Sequence, residues 1–410
     1  MSSESYLLEL AYLSIAEYPN SQLWSDIFDQ ALADWNLARA RSLLREAKRA
    51  RLPASVRADV RHGEGLLALQ LGDWDYAEVC LQESLNLRGE QAPGEDRVLV
   101  LGDLGMLYRV KGDLVGALDC HRRQLVLAKS LNNPSLVAEA YDQLGLDNSE
   151  RGELAVAKQQ LMQAQTLYLQ LSDAEGSAHV LNDLGLVAQR QEDYKSALDF
   201  FQRALESLRG LNLLYPAAQV LANIGNIYFE LDDLLEAKKF HEQALKTFDV
   251  LGVLFDKIAV LNVLGDLSFK REDYAVAASY YRESRTLARE LGNQQGERDA
   301  WTNLGVVALR QDNWLEAINF YRRALVLSQK MGDQRSYREL LRRLARAELI
   351  WGLECLRLAT RAQRALRLSI GEALQHIFRA HRYYFGKREM KEAPERSLSQ
   401  GHHKPNRVPE

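Results

Sequence analysis

The side chains best able to do chemistry in this sequence are its cysteines and histidines. Cys80 and Cys120 lie far apart along the chain, and so do His121 and His241. A zinc site usually takes its ligands as close pairs, with about two to five residues between the members of a pair. Such wide separations do not fit that pattern. We therefore expect the two cysteines in a core, and the two histidines as half-buried structural residues.

The short motifs that mark common active sites do not occur in the sequence. It has no phosphate-loop motif GxxxxGK(S/T), no GxGxxG after a strand, no HExxH and no GxSxG. His402 and His403 are adjacent, but they lie in a segment rich in Lys, Glu, Pro and Ser, where adventitious metal affinity is the expected behaviour. We therefore expect no catalytic residues, no cofactor and no metal site.

Charge is distributed unevenly along the 410 residues. From Arg335 onward there are 17 Lys and Arg against 8 Asp and Glu, although the whole chain has a net charge of −4. The first part of the chain is therefore acidic and favours cationic partners, unless each part simply solvates itself. The 47% of hydrophobic residues indicates a folded protein, and the three cysteines fit a reducing compartment. No apolar run reaches about 18 residues, and the first basic residue is Arg39, so the sequence predicts neither a membrane span nor a signal peptide. We therefore expect a folded cytoplasmic protein.

A repeat with a period of about 40 residues organises the chain from 58 to 334. One position of every unit is glycine, and the position twelve places later is alanine. The glycines are Gly65, Gly105, Gly145, Gly185, Gly225, Gly265 and Gly305, and the alanines are Ala77, Ala117, Ala157, Ala197, Ala237, Ala277 and Ala317. A fixed period of this size indicates stacked supersecondary units, each of which needs its neighbours to bury its apolar face.

A single unit shows why the pattern predicts a pair of helices. Apolar residues recur at helical spacing in 181–187 and again in 197–204. The residues between them predict a short turn, in which Asp193 caps the second helix. Gly185 and Ala197 are small and would let the two helices approach closely. Aromatic pairs would fill the space between neighbouring hairpins, at Phe200 and Phe201, Tyr280 and Tyr281, and Phe320 and Tyr321.

Two segments carry the pattern most clearly: LNDLGLVAQRQEDYKSALDFFQRALESL (181–208) and WTNLGVVALRQDNWLEAINFYRRALVLS (301–328). They resemble tetratricopeptide repeats, whose small residues fall here on Gly185, Ala197 and Ala204. The resemblance implies an all-α solenoid, a right-handed superhelix of antiparallel helix hairpins with degenerate capping helices at both ends. The period is longer than the usual one of roughly 34 residues. It resembles the repeats of the Pins/LGN polarity adaptors, kinesin light chains and bacterial multi-repeat proteins.

The ends of the chain depart from the repeat. Residues 1–57 are predicted to form capping helices and a degenerate repeat, ahead of seven units in 58–334. Residues 335–385 resemble a degenerate eighth hairpin, with helices over 339–352 and 354–369, followed by a basic capping helix. From residue 386 to 410 the composition predicts a disordered basic tail.

In the resembled family the first helices line a concave channel, with inward positions six and three residues before the glycine and one and four after it. Here these positions predict a peptide groove formed by Asp59, His62, Arg109, Glu139, Asp142, His179, Asn182, Gln189, Asn226, Asn262, Asp266, Asp299 and Thr302. Carboxylates outnumber the single arginine, and the amides can pair with a peptide backbone in both senses. We therefore expect a protein or peptide partner with basic segments. No unit has Lys or Arg three residues before its glycine, which argues against the Hsp70/Hsp90 carboxylate clamp.

The basic C-terminal region supports a different hypothesis. Its cationic residues are Arg357, Arg361, Arg364, Arg379, Arg382, Lys387 and Arg388. In HIFRAHRYYFGKR (376–388) aromatic residues alternate with basic ones, as in contacts with single-stranded nucleic acid or a membrane surface. The alternatives are a cap that seals the last hairpin and an intramolecular contact between the tail and the acidic groove. The favoured function is a non-catalytic scaffold or assembly adaptor, and the alternative is a regulator associated with nucleic acid or an anionic surface.

Overall fold

The computed structural model describes residues 42–45, 54–89, 94–361, 372 and 374–379, and it places no strand among them. The first, or A, helices of the hairpins are α1 (Ala54–Leu71), α3 (Glu95–Lys111), α5 (Pro134–Glu150), α7 (Ala174–Arg190), α9 (Leu214–Glu230), α11 (Leu254–Lys270) and α13 (Gln294–Arg310). The second, or B, helices are α2 (Trp74–Arg88), α4 (Leu114–Ser130), α6 (Leu154–Gln170), α8 (Tyr194–Gly210), α10 (Leu234–Leu251), α12 (Tyr274–Glu290) and α14 (Trp314–Lys330). A long helix, α15 (Gln334–Arg361), follows them.

The chain divides into two compact units, of which unit 1 ends at Ile227 and unit 2 begins at Tyr228. Within each unit the A and B helices of a hairpin pack along each other, and B helices pack on the next A helix. Successive A helices also contact each other, α1 with α3 and α3 with α5 in unit 1, and α11 with α13 in unit 2. The predicted all-α architecture of stacked hairpins is confirmed. Among the described residues no helix is long and apolar enough to cross a membrane.

The turns explain the length of the repeat. A positive φ angle recurs at every twentieth position from Gly112 to Gly332, both inside hairpins and between them. Most B helices have 17 residues, as does α7, so two helices with their turns add up to one period of the sequence. At the end of α7, Glu192 has this left-handed conformation, and the Asp193 side chain then accepts a hydrogen bond from the Ser196 N–H. The turn and cap predicted at 191–193 are therefore present.

The repeated glycine makes room for a side chain of its own hairpin. A Cβ atom at Gly185 would lie 2.5 Å from the Phe201 ring, and one at Gly305 would lie 2.6 Å from the Tyr321 ring. Phe201 and Tyr321 are fully buried. Both members of each aromatic pair were predicted to fill the space between hairpins. This was wrong for Phe201 and Tyr321, which pack on the glycine of their own hairpin. Phe200 instead packs, partly buried, against a core cluster from α5, α6 and α7.

Helix α15 differs from the sequence prediction. It runs unbroken from Gln334 to Arg361, so the hairpin turn predicted near Leu353 does not form. Gly352 lies inside the helix and lacks the positive φ angle of the other turns. The following residues, Leu353 and Glu354, do not provide the Asp or Asn cap that starts most helices of the array. Most of the segment 1–57 and all of the tail 386–410 lie outside the described residues.

Candidate functional site

Half-buried side chains mark one face of the A helices. On α7 they include Asn182, Asp183 and Gln189, which lie three and two residues before the repeat glycine and four after it. The corresponding positions of α11 are also half-buried. We call these positions, together with the one directly after the glycine, the A-helix face. The position two before the glycine was not predicted to belong to it, although it carries Asp103, Gln143, Asp183 and Asn223 in unit 1.

Hydrogen bonds join successive A helices along this face of unit 1. His62 Nε2 lies 2.5 Å from Asp103 Oδ2, Arg109 Nη2 donates to Gln143 Oε1 over 2.7 Å, and Asn223 Nδ2 donates to Asn182 Oδ1 over 2.9 Å. His62, Arg109 and Asn182 therefore hold neighbouring repeats together, and only part of their bonding capacity remains for a ligand. Asp59 pairs instead with Arg88 of its own hairpin, over 2.6 Å.

Four carboxylates on α3, α5 and α7 interact electrostatically, and we call them the acidic cluster: Asp103, Glu139, Asp142 and Asp183. Burial raises the pKa of Glu139, and the charge of Asp103 adds to this shift. Burial, reinforced by Asp183, raises the pKa of Asp142 well above its usual range. Burial also raises the pKa of Asp183 to about 7, against the opposing effects of Asn182 and Arg109. Asp142 Oδ1 is buried and has no hydrogen-bond partner among the described residues. The cluster thus brings four carboxylates together, and burial disfavours the charged forms of Glu139, Asp142 and Asp183.

The remaining predicted groove residues are more scattered. In unit 1, His179 is exposed on α7, 4.0 Å from Glu175, and Asn226 is half-buried on α9. In unit 2, Asn262 Oδ1 is buried, with no hydrogen-bond partner in the described ranges. The other three form bonds within the fold: Asp266 accepts a 2.5 Å hydrogen bond from the Tyr281 hydroxyl, Asp299 pairs with Arg298 over 2.8 Å, and Thr302 donates to the Arg298 carbonyl over 2.9 Å.

A buried charged network lies behind the face, and sequence reasoning missed it. His121 Nδ1 is 2.6 Å from Asp147 Oδ2, and its Nε2 is 3.2 Å from the Gly102 carbonyl oxygen. Arg109 donates to Asp147 Oδ1 over 3.1 Å. His121 and Asp147 are both fully buried, so His121 lies deeper than predicted. The available signal was that Asp147 stands two residues after Gly145, where the other repeats have Leu, Val or Ile.

The other candidate chemical residues belong to the packing of the array. Cys80 and Cys120 are buried and unpaired, as predicted for core residues. His241 is also buried, and neither of its ring nitrogens has a hydrogen-bond partner within the part of the chain described here. Burial lowers the pKa of His241 to about 4. In the part of the chain that the structure describes, no group of three or more His, Cys, Asp or Glu could hold a metal ion.

Only part of the predicted basic region is described. Arg357 lies on α15 and pairs with Glu354 over 3.5 Å, and Arg361 ends that helix. Arg379 is exposed in the helical stretch 374–379. The other predicted basic residues lie outside the described residues: Arg364, Arg382, Lys387 and Arg388.

Comparison with known families agrees with this geometry. Three tetratricopeptide repeat models match the chain, at residues 177–211, 216–290 and 300–335. The chain is a tetratricopeptide repeat protein. Its repeats and its stacked hairpins support a role as a protein-interaction scaffold. No curated protein matches the sequence.

Several solved structures share the fold. The apo form of RapI is 15% identical and has a TM-score of 0.53, covering 66% of this chain and 99% of its own. A Rap protein complexed with Competence and Sporulation Factor is 14% identical, with a TM-score of 0.54 and coverage of 84% and 97%. The apo quorum sensor NprR from B. thuringiensis is also 14% identical, with a TM-score of 0.54 and coverage of 94% and 98%. At these identities the similarity concerns the fold alone.

Proposed function

We propose that this tetratricopeptide repeat protein is a non-catalytic scaffold that binds a peptide, or a segment of a partner protein, on the A-helix face of unit 1. The observation that carries the proposal is the acidic cluster. Carboxylates kept at a raised pKa by burial favour any ligand that brings positive charge without adding more negative charge. A Lys or Arg side chain of the partner has the required charge, and Arg can also form a bidentate pair with a carboxylate.

The amides of the same face suit an extended or helical peptide. Asn182, Gln189 and Asn226 lie on A helices of unit 1, and a primary amide can both donate to and accept from a peptide backbone. A Rap protein of the same fold has been crystallised with its Competence and Sporulation Factor. That complex supports the idea that stacked hairpins of this kind can hold a ligand.

Capture of partners by two charge-matched variants tests the proposal. Asp142→Asn with Asp183→Asn removes charge from the acidic cluster, and Asp119→Asn with Asp199→Asn removes the same charge from exposed positions of α4 and α8. We expect the wild type and the exposed-position variant to retain a protein partner after nuclease treatment. The cluster variant should lose most of it, while its circular dichroism stays that of the wild type and its thermal midpoint does not fall below the wild-type value.

Two outcomes would contradict the proposal. A cluster variant that keeps its partner at wild-type yield would exclude the acidic cluster as the binding site. Partners that disappear with nuclease in every variant would instead favour the regulator associated with nucleic acid, since those partners would then be held through RNA or DNA.

Proton release gives a second, independent measurement. A cationic ligand lowers the pKa of Asp183, so binding near pH 7 should release protons from the cluster. Calorimetric titration in two buffers of different ionisation enthalpy measures that release. The enthalpy should depend on the buffer for the wild type and much less for Asp183→Asn.

A further inference from the structure

A second site lies in unit 2, where α15 packs on the last hairpin. A cavity of about 460 Å³ opens between α13, α14 and α15. Its lining combines apolar and aromatic residues, Val306, Leu309, Trp314, Tyr321 and Ile350, with charged ones, Arg310, Glu339, Arg343 and Arg346. This volume lies in the usual range for small-ligand pockets. We call it the arginine pocket.

The charges of the arginine pocket do not balance. Arg343 Nε donates to Glu339 Oε1 over 3.2 Å, so this arginine is paired. Arg310 stacks over the Phe269 ring at 5.8 Å, and no described carboxylate pairs with its charge. Arg346 has no ion pair within the described part of the chain. Two guanidinium groups therefore line the cavity uncompensated, the opposite of the excess in unit 1.

The Tyr321 hydroxyl adds a neutral hydrogen-bond donor to the charged residues of the arginine pocket. The Tyr321 ring is buried, and the charges of Arg343 and Arg346 act on its hydroxyl. Burial raises the pKa of Tyr321 to about 12, in spite of the opposing effect of Arg343. The phenol therefore keeps its proton at neutral pH and can donate it to an acceptor in the cavity.

The arginine pocket lies on the positions that form the A-helix face elsewhere. Val306 and Leu309 lie one and four residues after the glycine of α13, and Arg343 and Arg346 lie two before and one after Ala345, which replaces the glycine in α15. The prediction of an acidic groove counted only the seven regular units. The eighth A-type segment, on α15, makes this end of the face in unit 2 basic.

We propose that the arginine pocket binds a carboxylate of a peptide, with Arg310 and Arg346 as its ion-pair partners and Tyr321 as a hydrogen-bond donor. This inference rests on the proposed function and adds an anionic group to the ligand. A carboxylate on an aliphatic stem fits because guanidinium groups match its planar geometry and the apolar wall covers the stem. The carboxylate can belong to an acidic side chain or to the peptide terminus.

Four short peptides distinguish the sources of the anion. They are acetyl-Leu-Leu-Glu-Leu-amide, acetyl-Leu-Leu-Leu with a free carboxyl terminus, acetyl-Leu-Leu-Leu-amide, and acetyl-Leu-Leu-phosphoserine-Leu-amide. Each is titrated into the full-length protein by isothermal calorimetry. We expect at least one of the two carboxylate peptides to bind ten-fold or more tightly than the neutral amide, and the better of the two identifies the source.

Matched variants show whether that binding uses the pocket. Arg346→Gln and Arg310→Gln should each weaken the carboxylate peptide at least ten-fold, and Arg346→Lys should weaken it less. The control is Arg338→Gln on the same helix, which removes the same charge from an exposed side chain that does not line the pocket. Thermal midpoints within a few degrees of the wild type confirm that the variants fold.

Several results would overturn the assignment. These are equal binding of the neutral amide, absence of binding by every peptide, or equal loss in Arg338→Gln, which would indicate nonspecific attraction. Ten-fold tighter binding of the phosphoserine peptide than of both carboxylates would make the pocket a phosphate site. The capture experiment changes only Asp142 and Asp183, so failure of the proposed function and failure of the arginine pocket give different results.

Discussion

His121 and His241 occupy the same position of two B helices but have opposite surroundings. Both nitrogens of His121 face acceptors, on Asp147 and on the Gly102 carbonyl. A neutral imidazole has only one N–H, so a neutral ring can donate to one of these two acceptors at a time. His241 has no partner among the described residues, and the residue that corresponds to Asp147 in its repeat is Leu267. One histidine therefore belongs to a charged network, and the other behaves as a neutral core residue.

Acid is expected to destabilise unit 2 through His241. Because its native pKa is about 4 and its unfolded value about 6.5, the unfolded chain binds more protons between these values. Stability is therefore lost as the pH falls from about 6.5 to 4, by up to about 3 kcal/mol. Urea unfolding at pH 7.5 and pH 5 measures the loss. His241→Phe, which copies Phe201, should show a smaller loss between these two pH values, and an unchanged loss would refute this role.

Asp147 is expected to be the most sensitive residue of unit 1. Asp147→Asn leaves Arg109 and His121 close together without their counter-charge, and breaking a buried pair in this way costs about 3–5 kcal/mol. The loss should appear as a lower midpoint of urea unfolding and as faster amide exchange in α4 and α5. Asp119→Asn, which removes an exposed carboxylate of α4, should change neither by much. A tolerated Asp147→Asn would mean that the network contributes little to stability.

At the scale of helices, the left-handed turn residue determines where each helix ends. This position is glycine in several turns and Asn or Asp in others, but it is Glu at 192 and 272 and Ser at 172. Glycine accepts a positive φ angle without strain, whereas most side chains are penalised there. The helix stops because its next residue leaves the right-handed region and an Asp or Asn then caps the following helix.

The same substitution at two glycines should have opposite effects. Gly152 has a φ angle of 84° and open space around it, so Gly152→Ala adds backbone strain of about 1–2 kcal/mol. Gly210 lies at the end of α8 with a helical backbone and open space, so Gly210→Ala should stabilise the protein by up to about 1 kcal/mol. Thermal and urea unfolding of both variants test the pair. Equal shifts of the same sign would contradict it.

The helices and turns were predictable because they depend on local residue types. Asp193 and Asp113 lie directly before the helices that they cap, and Gly185 lies where its hairpin needs a small residue. Each can be recognised from a few neighbouring residues of the sequence. The partners of the acidic cluster were not predictable in this way. The inward positions implied by the family resemblance do not include the one two residues before the glycine, so Asp183 was missed. The pairing of His121 with Asp147 joins two hairpins, and only the folded structure shows it.

At the scale of the whole molecule, the A-helix face is acidic in unit 1, and in unit 2 its end on α15 is basic. A charged group that is half-buried lowers the folding stability of the protein without its ligand. A bound ligand of opposite charge would offset that loss of stability. This is a common property of binding sites, which are often less stable than the rest of a fold.

The stability of unit 1 should decrease as the pH rises. The native pKa of Asp183, about 7, lies above its ordinary value of 3.8, so the folded state binds the proton more tightly. The resulting stabilisation is complete below about pH 3.8 and is lost as the pH rises from there to about 7. Asp183→Asn should therefore be more stable than the wild type at pH 8, and its advantage should be smaller at pH 5. Urea unfolding followed by amide exchange in α7 measures this, and a wild type that is the more stable at pH 8 would contradict it.

The even spacing of the turns also means that whole hairpins can be removed or duplicated as units. Because left-handed residues recur at every twentieth position, two turns that are one full period apart share the same left-handed conformation. Removing or duplicating the block between them rejoins chain ends that already match, with no change in the phase of the helices. Such events would lengthen or shorten the A-helix face in whole hairpins without a new fold.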